Sequence, residues 1–272
     1  MAKTLRDEFP SVIDISYQEY LKHKHISDIM TRDPIFIDGG ATMLDAAKLM
    51  GEKHIGSLLV KGTDRPAGIV TERDLLTRVI AAERNPREVR VYEVLSPRLI
   101  TIKPQATVKE GARTMIKEKG RLVVTEGRRV VGIVTASDLI KALPDAPETS
   151  VPVQKFMTKR VECVDLNAKV WDVAKKMGRE RIGSVIVNKE GQSWGIFTER
   201  DLLSKVIYNE ADLQDPVSRY TSAPLVKISP DYTIHKAAMT MATKHIRRLP
   251  VFKDEQLVGI ITARDLVEAY AL

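Results

Sequence analysis

Apolar positions along this chain fall into a recurring order of short continuous runs and helix-spaced stretches. Ile35-Phe36-Ile37 reads as a short strand stopped by Gly39-Gly40. From Thr42, Met43, Ala46, Ala47 and Met50 recur at three and four, the helical period. Ser57-Leu58-Leu59-Val60 is a continuous apolar run of the kind buried strands carry, and 62–66 has turn chemistry. A strand over 67–70 then leads into a helix over 72–82, with Leu75, Leu76, Val79 and Ile80 on one face. The predicted unit is β-α-β-β-α. It returns at 91–143 with strands at 99–102, 121–125 and 130–134, a helix at 107–119 and another from Ala136. The second half repeats the first: Met30-Thr31 corresponds to Met157-Thr158, Met50-Gly51 to Met177-Gly178, and Ile55-Gly56-Ser57 to Ile182-Gly183-Ser184.

One phrase marks every copy of the unit, where its last strand turns into its last helix. It reads Gly68-Ile69-Val70-Thr71-Glu72-Arg73-Asp74-Leu75, then Gly132-Ile133-Val134-Thr135-Ala136-Ser137-Asp138-Leu139. The other two copies are Gly195-Ile196-Phe197-Thr198-Glu199-Arg200-Asp201-Leu202 and Gly259-Ile260-Ile261-Thr262-Ala263-Arg264-Asp265-Leu266. Thr before a helix with an acidic residue three positions later resembles a capping box. That structural role accounts for the pattern without any ligand. The same geometry suits a nucleotide: free N–H groups at a helix start favour phosphate, and an Asp can accept from ribose hydroxyls. Capping boxes prefer Glu or Gln, whereas all four copies have Asp, which favours the ribose reading.

The chain has 272 residues and is 43% hydrophobic, enough for two ordinary domains with real cores. Aromatics are only 5%, so those cores rest on Val, Ile, Leu, Ala and Met. A single cysteine, Cys163, excludes a disulfide framework and a cysteine zinc site; in a strand position it predicts an apolar role. No apolar run suits a membrane span and residues 1–23 mix charges throughout, so a soluble cytoplasmic protein is expected. The net charge of +7 is spread along the chain with acidic neighbours. It is compatible with nucleic acid or a phosphorylated ligand, but no recognition motif or basic arm accompanies it. Lys22-His23-Lys24-His25 reads as a solvated segment rather than a metal site. Phosphate-loop, zinc-protease and nucleophile-elbow motifs are missing, and no enzyme is expected.

The phrase G-h-h-T-x-x-D-L, the order of elements and His245-Ile246-Arg247-Arg248-Leu249-Pro250-Val251 together resemble the CBS domain. The resemblance covers about 24–272. It implies an α/β fold of four repeats paired into two Bateman modules, in a disc-like, pseudo-symmetric and stand-alone assembly. Module one would span 24–143, with repeats at about 24–83 and 91–143, and module two 153–272, with repeats at about 153–210 and 216–272. A proline-rich linker, 144–152, would join them, and 1–23 would be an N-terminal extension. By the same resemblance, Asp74, Asp138, Asp201 and Asp265 hold ribose, and Thr71, Thr135, Thr198 and Thr262 contact phosphate or ribose. Arg121, Arg247 and Arg248 reach phosphate, and backbone at Ile35, Ile100 and Val226 lies along adenine. The implied ligand is AMP, ADP or ATP, ahead of S-adenosylmethionine or NAD, with no cofactor required. The implied function is a regulator that reports ligand level to a partner protein, as monomer or homodimer. The alternatives are a nucleic-acid-binding protein and an interaction module whose Thr and Asp serve only as caps. Repeats one and three carry Gly56-Ser57 and Gly183-Ser184 where repeat four has Arg247-Arg248, so four equivalent sites are not expected.

Overall fold

The computed structural model describes residues 24–142 and 149–271. The N-terminal extension 1–23, residues 143–148 of the linker region and Leu272 lie outside the described residues. In repeat one, strand Phe36–Ile37 runs parallel to Ser57–Val60, which forms an antiparallel hairpin with Gly68–Thr71. Ser57–Val60 is buried along its whole length, which explains why its sequence does not alternate. Helix Met43–Glu52 connects the first two strands and opens on a capping box between Thr42 and Asp45. Repeat two has strands Ile100–Ile102, Leu122–Glu126 and Arg129–Val134, with helices Val108–Glu118 and Ala136–Lys141. Repeat three has Cys163–Asp165, Ser184–Lys189 and Gln192–Thr198, with helix Val170–Glu180. In repeat four the first strand shrinks to a single parallel bridge, Ile228 to Val251, beside the hairpin Arg248–Lys253 and Gln256–Thr262. Its helices are Ile234–Thr243 and Ala263–Ala271.

The segment that leads into each repeat packs on a different repeat. Thr31 and Arg32 pair antiparallel with Ile133 and Gly132 of repeat two. Ser96, leading into repeat two, exchanges backbone hydrogen bonds of 3.0 and 2.8 Å with Ile69 of repeat one. Thr158 pairs in the same way with Ile260, and Ser222 with Ile196. The second residue of every phrase is therefore a docking point for an incoming strand. This is why the first residue is glycine. A Cβ at Gly68 would lie 2.5 Å from the Ser96 carbonyl oxygen, and one at Gly195 would lie 2.9 Å from that of Ser222. At Gly132 and Gly259 a Cβ would lie 2.6 Å from the sulfur of Met30 or Met157 and 3.0 Å from the carbonyl oxygen of Thr31 or Thr158.

These exchanges divide the chain into two compact units that do not follow sequence order. One holds residues 34–99 and 161–226, hence repeats one and three; the other holds the described parts of 1–33, 100–160 and 227–272, hence repeats two and four. In the first unit, helix Met43–Glu52 packs on Leu202–Ile207, and Val170–Glu180 packs on Leu75–Ile80. Met43, Ala47, Met50, Val79, Val170, Met177 and Leu203 share one buried core there. Leu75, Leu76, Val79 and Ile80 are all buried, as their spacing predicts. The helix carrying them is π-wound, however: Ala81 N–H donates to Leu76 and Arg84 N–H to Val79, five residues back. Leu202–Ile207 is wound the same way. Ion pairs between Lys48 and Glu210 and between Lys175 and Glu83 close the two ends of this packing symmetrically. In the second unit, Ala263–Ala271 packs on Val108–Glu118 and Ala136–Lys141.

Gly68→Ala is expected to destabilise the protein by about 1–3 kcal/mol, because backbone rather than a flexible side chain must yield. Urea unfolding measures this, and an unchanged midpoint would mean that the Ser96 strand moves aside freely.

Candidate functional site

In all four phrases the Thr closes on the Asp. The Thr N–H and hydroxyl both donate to Oδ2: at 2.9 and 2.7 Å for Thr71 and Asp74, and at 2.8 and 2.7 Å for Thr135 and Asp138. The distances are 2.9 and 2.6 Å for Thr198 and Asp201, and 2.8 Å twice for Thr262 and Asp265. The Asp N–H returns a bond to the Thr hydroxyl in repeats one, three and four. The capping role is thus realised. It fills Oδ2 and holds Oδ1 in a fixed direction.

The four Oδ1 atoms then differ. A carboxylate has roughly four lone-pair sites, two on each oxygen. At Asp201, Oδ1 accepts from the Ser222 hydroxyl at 3.0 Å and is ion-paired with Lys205 Nζ at 2.7 Å, so both carboxylate oxygens are engaged. At Asp74, Oδ1 faces Arg78 Nε at 3.4 Å. Ala142 and Ala269 stand at the equivalent positions of repeats two and four. Among the described residues, Oδ1 of Asp138 and of Asp265 has no hydrogen-bond partner. Burial pushes the Asp265 carboxyl pKa upward, against the Thr262 hydrogen bonds that favour its charged form.

Charge beside the phrases differs between repeats one and three on one side and repeat four on the other. In repeats one, three and four the residue after the Thr donates its N–H to the residue before the middle strand: Glu72 to Gly56, Glu199 to Gly183, and Ala263 to Arg247. These pairs are therefore spatial neighbours. In repeats one and three the pair carries a carboxylate, buried to 5% exposure at Glu72 and 4% at Glu199. A side chain at Gly56 would begin 2.8 Å from the Glu72 carboxylate. In repeat four the pair carries the Arg247 guanidinium instead. Across the first unit, Arg73 Nε and Nη2 bond Glu199 Oε1 at 3.2 and 3.1 Å, and Arg73 Nη1 donates to the Arg181 carbonyl at 3.0 Å. The second unit holds Arg121, Arg247 and Arg248, all half-buried, with Asp138 and Asp265.

The remaining expected residues are spread over both units. Ile35 lies in the first, and its carbonyl accepts from Leu59 N–H within the sheet. Ile100 lies in the second, pairing with Leu122. Val226, counted with repeat four in sequence, ends the first unit and precedes the Ile228 bridge.

The CBS domain pattern matches residues 26–81, 91–145, 153–208 and 217–272. The chain belongs to the CBS-domain family. Among its relatives, MJ1225 of Methanocaldococcus jannaschii is 26% identical over 200 residues, covering 66% of this chain and 71% of that one. YhcV, a CBS domain-containing protein of Bacillus subtilis, is 33% identical over 114 residues, 42% of this chain and 81% of its own. The crystal structure of MJ1225, described as a proposed archaeal homologue of γ-AMPK, matches with a TM-score of 0.75 at 21% identity. That match covers 90% of this chain and 99% of the other. A Pyrococcus horikoshii protein matches with a TM-score of 0.64 at 22% identity over the same shares. At these identities the structural likeness carries the fold. Among the described residues, no helix is long and apolar enough to cross a membrane.

Reading the phrase of this CBS protein by itself passes over the residues that distinguish its copies. Arg78 and Lys205, four positions after the Asp, alternate with Ala142 and Ala269. Glu72 and Glu199 alternate with Ala136 and Ala263. Both alternations follow the Ser57, Arg121, Ser184, Arg248 series, so the signal lies in comparing the copies.

Arg73→Ala should destabilise the protein by about 1–3 kcal/mol, since the Glu199 carboxylate stays buried with one cation removed. Adding Glu199→Gln should recover part of that loss in a urea double-mutant cycle. Additive effects would show that Glu199 is balanced elsewhere.

Proposed function

We propose that this CBS protein is a regulator that binds an adenine nucleotide at repeats two and four. Oδ1 of Asp138 and of Asp265 would accept the two ribose hydroxyls. Thr135 and Thr262 hold those carboxylates in place and stand beside the first phosphate. Arg121, Arg247 and Arg248 would neutralise phosphate charge, and backbone at Ile100 would border adenine. The observation that carries this reading is that Oδ1 of two half-buried carboxylates has no hydrogen-bond partner among the described residues of the unit that also holds the three guanidinium groups. Three cations favour AMP, ADP or ATP over S-adenosylmethionine, whose sulfonium is itself positive. The relative described as a proposed homologue of γ-AMPK supports a nucleotide-responsive role. At repeats one and three, Thr71, Asp74, Thr198, Asp201 and Ile35 have the same motif positions, but the buried Glu72 and Glu199 disfavour phosphate there.

Regulation would work by population shift, with nucleotide favouring one arrangement of the two Bateman modules, 24–143 and 153–272, over another. Such a shift is limited by the ligand's differential affinity for the two arrangements. The partner would read that arrangement, and the protein itself would act by binding, in the cytoplasm, rather than by catalysis.

Calorimetric titration with AMP, ADP, ATP and S-adenosylmethionine, with GMP as control, tests the reading. Saturable binding of an adenine nucleotide at no more than two sites is expected. Asp265→Ala should weaken one of these sites roughly 10- to 100-fold, the loss expected for hydrogen bonds to a charged acceptor, with folding retained. Silence with every adenosyl compound would leave Thr and Asp as caps alone. Binding to duplex or single strands that falls steeply with salt would favour nucleic acid instead.

A further inference from the structure

We propose that Lys205 and Arg78 are internal occupants of the ribose positions in repeats three and one, so that half of the phrases are closed by the protein's own cations. The proposal deepens the reading above and rests on its assignment of Oδ1 as the ribose acceptor. Asp201 makes the strongest case. Its side chain is 9% exposed, Thr198 fills Oδ2, and Oδ1 accepts from Ser222 and is ion-paired with Lys205, so the protein engages both oxygens where a diol would bind. Lys205 is satisfied in turn. Its ammonium donates to the Tyr220 carbonyl at 3.0 Å and to the Ser222 hydroxyl at 2.9 Å beside its ion pair with Asp201.

Arg78 repeats the arrangement in repeat one. It faces Asp74 Oδ1 at 3.4 Å and donates through Nη1 to the carbonyls of Val94 and Leu95, the latter at 3.2 Å. Val94 and Tyr220 lie two residues before the strand pairings at Ser96 and Ser222, and each gives its carbonyl to the cation, Arg78 or Lys205. Each cation thus ties the phrase carboxylate to the segment docked on the phrase strand. A ribose would have to displace an ion pair whose other bonds hold that segment. Repeats two and four have alanine at the cation's position and an unfilled Oδ1. Lys205, at the shorter distance and with Ser222 beside it, is the tighter of the two closures.

Adenosine tests this directly, because it carries the diol without phosphate and so avoids the effect of Glu72 and Glu199. The titration is made in the full chain carrying Asp138→Ala and Asp265→Ala, which removes the open positions. With both cations present, no saturable adenosine binding is expected. Adding Lys205→Ala should create one site, at least tenfold tighter than any residual binding, and Arg78→Ala a second, weaker one. Lys205→Met, which keeps the side-chain stem, should open the same site if the alanine variant loosens the fold; Lys205→Arg should stay closed. Circular dichroism and the melting temperature confirm that each variant folds. Adenosine binding while both cations remain, or no gain in either folded Lys205→Ala or Lys205→Met, overturns the proposal. The nucleotide reading is judged separately on the wild-type chain. Silence there, together with a gain on removing Lys205, would reject open sites in repeats two and four and leave the closure standing.

Discussion

The bonds from each Thr N–H and hydroxyl to one oxygen of the Asp three residues later hold the strand-to-helix turn in every repeat. They satisfy a side chain and an amide that would otherwise be stranded at the turn. They also select the Asp rotamer and so decide where the second oxygen points. Capping and ligand recognition are therefore not competing explanations of the same residues. The cap consumes Oδ2, and whatever a repeat does chemically is decided by what reaches Oδ1.

What reaches it depends on the exchange of lead segments. Each phrase strand takes an incoming strand at its second residue, which requires glycine at the first. In repeats one and three the incoming segment also brings carbonyls and, at Ser222, a hydroxyl, to which Arg78 and Lys205 are tied. One feature of the backbone thus explains a conserved-looking glycine in all four copies and, in two of them, the fate of the carboxylate. The Gly-Glu neighbours of repeats one and three and the Arg-Ala neighbours of repeat four have opposite charge for the same backbone geometry. The same backbone unit thus occurs in versions that differ at a handful of side chains.

Much of this was legible in the sequence. Helical spacing at Met43, Ala46, Ala47 and Met50, the continuous run Ser57–Val60 and the four phrases specify the elements and their order, because local periodicity and capping chemistry decide them. The cation at Arg247-Arg248, against Gly-Ser in repeats one and three, already announced that the copies differ. The alternation of Arg78 and Lys205 with alanine was equally present, but its meaning needed a distance: an i,i+4 cation on a helix surface is ordinarily a weak solvated pair.

The sequence by itself determined the repeat, the order of its elements and the Thr–Asp cap, all of which depend on residues within a few positions of one another. The tertiary structure alone decided that repeat one shares a compact unit with repeat three and repeat two with repeat four. It alone set the lead segments on the neighbouring phrase strands and filled the second oxygen of Asp201 while leaving those of Asp138 and Asp265 unfilled. Those outcomes depend on groups far apart in the chain, such as Ser222 against Asp201 and Arg73 against Glu199. Local periodicity carries no information about which distant surfaces meet.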